Sequence, residues 1–123
     1  HAKLRGDKEI KIWGDGEQTR SFMYIDDCLH GTLALMNSDI SEPVNLGSSE
    51  MVSVNQLVDL VEEIAGIRLR RIYQLDAPTG VRGRCSDNTL IQRKLGWSPS
   101  ISLQTGIEKT YSWICEQINN QNL

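Results

Sequence analysis

The tightest constraint on this chain is the run S-V-N-Q-L-V-D-L-V-E-E-I-A-G, residues 53–66. Ser53 followed three residues later by Gln56 has the form of a capping box, each side chain serving the other's backbone N–H. Val54, Leu57, Val58, Val61 and Ile64 hold the helical period, and Gly66 supplies the stop. A helix so plainly started, striped and ended must lay its stripe on something. Short apolar runs stand on both sides of it, residues 43–47 (P-V-N-L-G) and 69–75, and both read as strands. Earlier in the chain, Ile10 and Ile12 alternate with Glu9 and Lys11, and Phe22 and Tyr24 repeat the alternation. Between those two runs lies Asp15-Gly16, a dipeptide that closes hairpins, so a hairpin is expected there.

Three more helices are expected from the same rules. Asp26 or Asp27 caps one that carries Leu29, Leu33 and Met36. Ser86 or Asp87 caps a short one ending at Leu95-Gly96. Ser102 opens the last, with Leu103, Ile107, Tyr111, Ile114 and Ile118 facing inward. Strands alternating with helices make this an α/β chain. A doubly wound sheet needs more strand–helix units than these, so the chain reads as part of something larger.

Composition narrows the function. At 123 residues, with 39% hydrophobic and 24% charged residues, the chain has the make-up of one folded domain with a modest core. A formal charge of -3 carries no general nucleic-acid footprint. No apolar run is long enough for a membrane span, and no secretory signal pattern is read at its start. Cys28, Cys85 and Cys115 lack C-x-x-C spacing, and His1 and His30 are the only histidines. No zinc site is expected. Free, mostly buried thiols and a cytoplasmic setting are.

The stretch W-G-D-G-E-Q-T-R, residues 13–20, poses the functional question. A dinucleotide loop needs G-x-G-x-x-G between a strand and a helix, because the pyrophosphate rests on the helix N-terminus. Here Thr19 stands at the third glycine position, and the residues after it alternate with a period of two. The stretch is a turn. Arg20 comes next, and Arg68, Arg70, Arg71, Arg82 and Arg84 crowd into the second half of an acidic chain. Arg82 and Arg84 flank Gly83 in a loop suited to backbone approach by an anion. Guanidinium forks from two loops could clamp a pyrophosphate, and on spacing alone surface polarity stands beside that reading.

The blocks W-G-D-G-E-Q-T-R-S-F-M-Y-I-D-D, E-P-V-N-L-G-S-S, G-V-R-G-R-C-S-D-N and L-G-W-S-P, taken in order, carry a resemblance. The chain resembles the C-terminal third of the extended short-chain dehydrogenases, the NAD-dependent nucleotide-sugar epimerases and dehydratases. Within them, Q-T-R-S-F and G-V-R-G-R point to the GDP-mannose 3,5-epimerase branch. The resemblance implies the C-terminal substrate-binding portion of a Rossmann-type fold, residues 1–123, without the N-terminal NAD-binding domain. It implies that Gln18, Thr19, Arg20 and Arg84 contact a GDP-mannose-like nucleotide sugar, the arginines reaching its diphosphate. Asn45 is a weaker candidate, beside the reading that it is a satisfied strand-end amide.

Asp26 reads as a helix cap, and Trp97 and Pro99 as packing and helix termination. The family's Tyr-x-x-x-Lys pair has no match, since Cys28, Ala77 and Cys115 stand at the lysine position after Tyr24, Tyr73 and Tyr111. No catalytic residue is therefore carried over. The chain is expected to be inactive alone, to bind no NAD by itself, and to self-associate through an apolar face of residues 43–66 left open by the missing domain. A free-standing binding module that kept the fold and lost the chemistry is the alternative. A nucleic-acid binder using the arginine cluster is a third reading.

Overall fold

The computed structural model describes residues 1–121. In chain order its elements are α1 (Ala2–Arg5), β1 (Glu9–Trp13), β2 (Thr19–Ser21), α2 (Ile25–Met36), β3 (Met51–Ser53), α3 (Val54–Ala65), β4 (Arg70–Gln74), β5 (Gly83–Arg84), α4 (Thr89–Leu95) and α5 (Leu103–Gln121). The α/β class holds, with parallel pairing in both sheets. The described residues divide into two compact units, one of residues 1–20 and 52–84, the other of residues 21–51 and 85–121.

The first unit is organised by α3. Its capping box forms as read: the Gln56 N–H donates to Ser53 Oγ at 3.1 Å, and the Ser53 N–H donates to Gln56 Oε1 at 2.8 Å. Gly66 ends the helix in the left-handed conformation. The chain then returns as β4, which pairs in parallel with β1 from Glu9↔Arg70 to Trp13↔Gln74. Ile12 and Ala65 are the buried apolar side chains here. Glu62, also buried, accepts the Leu69 N–H and an Arg68 N–H, each at 3.0 Å, tying the helix end to the returning strand.

The hairpin expectation fails. β1 pairs with β4, whereas β2 lies between β3 and β5 in a separate three-stranded sheet. The turn of residues 14–18 therefore links two sheets instead of closing one ladder. β2 also stops at Ser21, so Phe22 and Tyr24 lie beyond it.

In the second unit, α2 opens at Tyr24 without a side-chain cap. The expectation that Asp26 or Asp27 caps it is corrected. Asp27 is buried and accepts the Ser100 N–H at 3.0 Å, the Ser100 hydroxyl at 3.0 Å and the Ile101 N–H at 2.9 Å. Burial would raise its carboxyl, but these donors outweigh it and hold the group below the usual carboxylate range. Trp97 packs as expected, and so closely on α2 that a Cβ on Gly31 would lie 2.8 Å from its ring.

Residues 43–47 form no strand, because no neighbouring strand pairs with them. Their polar groups instead meet the segment before α4: the Asn88 side-chain amide donates to the Gly47 carbonyl at 2.7 Å. That helix opens at Asn88 rather than at Ser86 or Asp87, although Asp87 accepts the Thr89 N–H at 3.0 Å. Two smaller expectations also change. The thiols are not mostly buried, since Cys85 is exposed and Cys28 and Cys115 are half-buried, and Ile114 on α5 is 42% exposed while Leu103 is buried. Among the described residues no helix is long and apolar enough to cross a membrane.

Candidate functional site

The turn of residues 14–18 is seated on the N-terminus of α3. A helix leaves its first N–H groups without intrahelical partners. Here the Val54 N–H donates to the Gln18 carbonyl at 3.2 Å and the Asn55 N–H to the Gly16 carbonyl at 3.0 Å. Ser53 Oγ takes the next, from Gln56. The anion position at this helix start is thus already filled by the turn's own carbonyls, and it does not fit a dinucleotide pyrophosphate.

The two glycines of the turn explain its shape. Both have φ of +75°, which an L side chain rarely adopts. A Cβ on Gly16 would run into the Asn55 side chain, and one on Gly14 into the Thr79 methyl. The turn is therefore a spacer between α3 and the loop that leads to β5. Asp15 completes it. One carboxylate oxygen accepts the Glu17 N–H at 2.9 Å, and the other meets Arg82 Nη1 at 2.9 Å. Those two partners, the Glu17 N–H first, hold its carboxyl below the usual range.

From this seat the chain enters β2, which runs parallel to β5 with Thr19 opposite Gly83 and Arg20 opposite Arg84. Partners in register on adjacent strands are close neighbours, so two guanidinium groups remote in sequence start from adjacent backbone positions. Arg20 is braced by two carbonyls, Thr19 (2.6 Å) and Thr79 (3.3 Å), and keeps further N–H donors free. Arg84 is exposed and makes no ion pair among the described residues. Arg82, by contrast, is spent on Asp15.

The other sequence candidates are placed differently. Gln18 is buried, and its Nε2 donates to the Trp13 carbonyl at 2.8 Å across the turn. Thr19 is half-buried, and its N–H donates to the Arg82 carbonyl at 2.8 Å. Asn45 belongs to the second unit, where it is exposed and donates to the Asp87 carbonyl at 3.3 Å. Sequence reasoning missed the supporting residues Asp15, Asn55 and Thr79. Only the aspartate between the two glycines offered a signal.

The remaining arginines of the cluster are paired with carboxylates. Arg68 and Arg71 both reach Asp59 and Glu62, and Arg70 reaches Glu9. A larger groove, ≈ 510 Å³, lies in the second unit. Phe22, Ile25, Leu103 and Trp113 line it, with Lys109 Nζ 5.1 Å from the Tyr24 ring centroid. Its walls are chiefly apolar, and none of the sequence candidates lies in it.

A family model described as GDP-mannose 4,6 dehydratase matches residues 1–110. The chain belongs to that family. Its relatives are extended short-chain dehydrogenases, the NAD-dependent nucleotide-sugar epimerases and dehydratases. GDP-mannose 3,5-epimerase of Arabidopsis thaliana is 50% identical over 112 residues, which are 91% of this chain and 29% of the relative. UDP-glucose 4-epimerase of Thermotoga maritima, solved with UDP-glucose, superposes with a TM-score of 0.86 at 34% identity, covering 95% of this chain and 38% of that one. UDP-glucuronic acid 4-epimerase of Bacillus cereus, solved with UDP-glucuronic acid and NAD, gives a TM-score of 0.83 at 32% identity, covering 94% and 38%. The chain thus spans between 29% and 38% of the length of these family members.

Proposed function

We propose that this chain is the substrate-binding part of an NAD-dependent nucleotide-sugar epimerase or dehydratase of the GDP-mannose 3,5-epimerase kind, with Arg20 and Arg84 gripping the diphosphate. The observation that carries this reading is the parallel register that sets Arg20 opposite Arg84. Two forks from neighbouring strands match an anion with two phosphoryl groups, since each guanidinium can bond two oxygens. Thr19 and Gln18 support the grip by fixing the backbone that carries Arg20, and Asn45 offers an exposed amide in the second unit. The chain's contribution to catalysis is positioning of the nucleotide, with NAD and the acid–base groups residing in a complementary N-terminal portion. Alone it turns over no sugar nucleotide and binds no NAD.

The same reading makes the protein cytoplasmic and self-associating. Support for the latter comes from α2, where Ile25, Leu29, Leu33 and Met36 are all more than half exposed on one stripe. This is a different face from the one expected on residues 43–66.

The test is GDP-sugar affinity in a full-length relative carrying the changes at the matching positions. Charge-assisted hydrogen bonds contribute about 1.5–3 kcal/mol each, so Arg84→Ala should weaken binding about ten- to a hundredfold. Arg84→Lys should recover only part, because an ammonium lacks the fork. For the chain itself, a Kd for GDP of about 1 mM or weaker is expected. Unchanged affinity in both Arg20→Ala and Arg84→Ala would reject the grip.

A further inference from the structure

We infer that Asp15 is a positioning residue for the arginine pair: it draws Arg82 out of the anion site and thereby sets Arg84 opposite Arg20. This rests on the diphosphate reading and extends it to a residue that touches no ligand. Asp15 is itself fixed by α3. Its carbonyl accepts from Asn55 Nδ2 at 3.3 Å, and the Asn55 N–H holds the neighbouring Gly16 carbonyl at 3.0 Å. With Oδ1 turned to the Glu17 N–H, Oδ2 is left facing Arg82 at 2.9 Å.

Arg82 is then held at both ends. Its guanidinium is on Asp15, and its carbonyl accepts the Thr19 N–H at 2.8 Å. Only Gly83 separates it from Arg84. The same turn also braces the partner arginine, because Gly14 admits Thr79, whose carbonyl takes Arg20 Nη2 at 3.3 Å. One turn therefore braces Arg20 and pairs Arg82, and the aspartate leaves Arg20 and Arg84 as the two of the three arginines without a carboxylate partner.

Electrostatics and positioning make opposite predictions for Asp15→Asn. Deleting a carboxylate beside an anion site raises the local positive charge, and attraction alone would tighten GDP binding. Positioning requires that binding weaken. An exposed ion pair of this kind contributes at most about fivefold, so the expected loss is about three- to fivefold in Kd. The experiment titrates the chain with GDP, following amide shifts by NMR, in the parent, Arg84→Ala, Asp15→Asn and the exchanged pair Asp15→Arg with Arg82→Asp. Expected results are binding lost in Arg84→Ala, weakened in Asp15→Asn, and largely restored in the exchanged pair. If Arg84→Ala loses binding while Asp15→Asn binds GDP as tightly as the parent or more so, positioning is overturned and the grip stands. If the parent shows no GDP-dependent shift even at about 10 mM, well above the expected Kd of about 1 mM, or Arg84→Ala binds as the parent does, the grip falls and this inference falls with it. Should Asp15→Asn fail to fold, the exchanged pair decides alone, and its failure to bind GDP overturns the proposal.

Discussion

Helices α2 and α3 are both 12 residues long, yet their surroundings complete them to very different degrees. α3 has a reciprocal cap at one end, a left-handed glycine at the other, and no large apolar side chain left exposed. α2 begins without a side-chain cap and ends at Asn37, and it shows Ile25, Leu29, Leu33 and Met36 to solvent. Its buried positions are Asp27 and Gly31, on the opposite face. Residues two apart on a helix lie about 200° around the axis, so the buried and apolar stripes cannot coincide. α3 is held by its own local signals and an apolar face. α2 is held by a carboxylate and a close backbone approach, with its apolar face unused. The difference teaches that amphipathic periodicity identifies a helix without saying which of its faces the fold will cover.

The largest test of that contrast is at Asp27. Asp27→Ala strands the part-buried Ser100 and Ile101 N–H groups, and at about 1–3 kcal/mol for each unsatisfied group a loss of about 2–6 kcal/mol is expected. Urea unfolding followed by tryptophan fluorescence measures it. The pH dependence carries the same information. Because the folded-state carboxyl is held low, its contribution is complete above the unfolded value of about 3.9 and is lost as pH falls through the lower folded value. Acid loosening below about pH 4 should shrink in Asp27→Asn, leaving the smaller share due to exposed carboxylates such as Asp87.

Next comes Gly31→Ala, whose methyl would lie 2.5 Å from Leu46 and 2.8 Å from Trp97. Overpacking of this kind costs about 1–3 kcal/mol and should disturb Trp97 in near-ultraviolet dichroism. A helix with an open face would tolerate alanine, so an unchanged variant breaks the comparison. At α3, Ser53→Ala removes the cap and should cost about 1 kcal/mol by thermal unfolding. The smallest effect on stability belongs to Leu33→Ser, within about 0.5 kcal/mol, because that side chain is already exposed. Its consequence should appear in sedimentation, as weaker self-association. Unchanged association in Leu33→Ser would show that the α2 stripe is not the contact.

The elements that could be read in advance share a property. α3, β4 and the Gly96 helix end are written in residues within a few positions of one another. The strand expected at residues 43–47 failed because a strand exists only with a neighbour, and the Gly47 carbonyl and the Asn45 side-chain amide meet Asn88 and Asp87 instead. Asp27 was legible as an acidic residue at a helix start, which is where caps sit. Its true partners lie 73 and 74 residues away.

By itself, then, the sequence determined an α/β chain, the limits of its best helix, and a turn at residues 14–18 that is no dinucleotide loop. It also supplied the arginines. Only the tertiary structure decided which of them stand together. Arg68, Arg70 and Arg71 are neutralised by Asp59, Glu62 and Glu9. Arg82 is taken by Asp15, and Arg20 and Arg84 are brought into register by a short parallel ladder. The physical reason is range. Capping, helical period and positive-φ glycines act over a few residues and leave their mark in local sequence. Ion pairing and parallel strand register join positions dozens of residues apart, and no local pattern records which partner a charged side chain will meet.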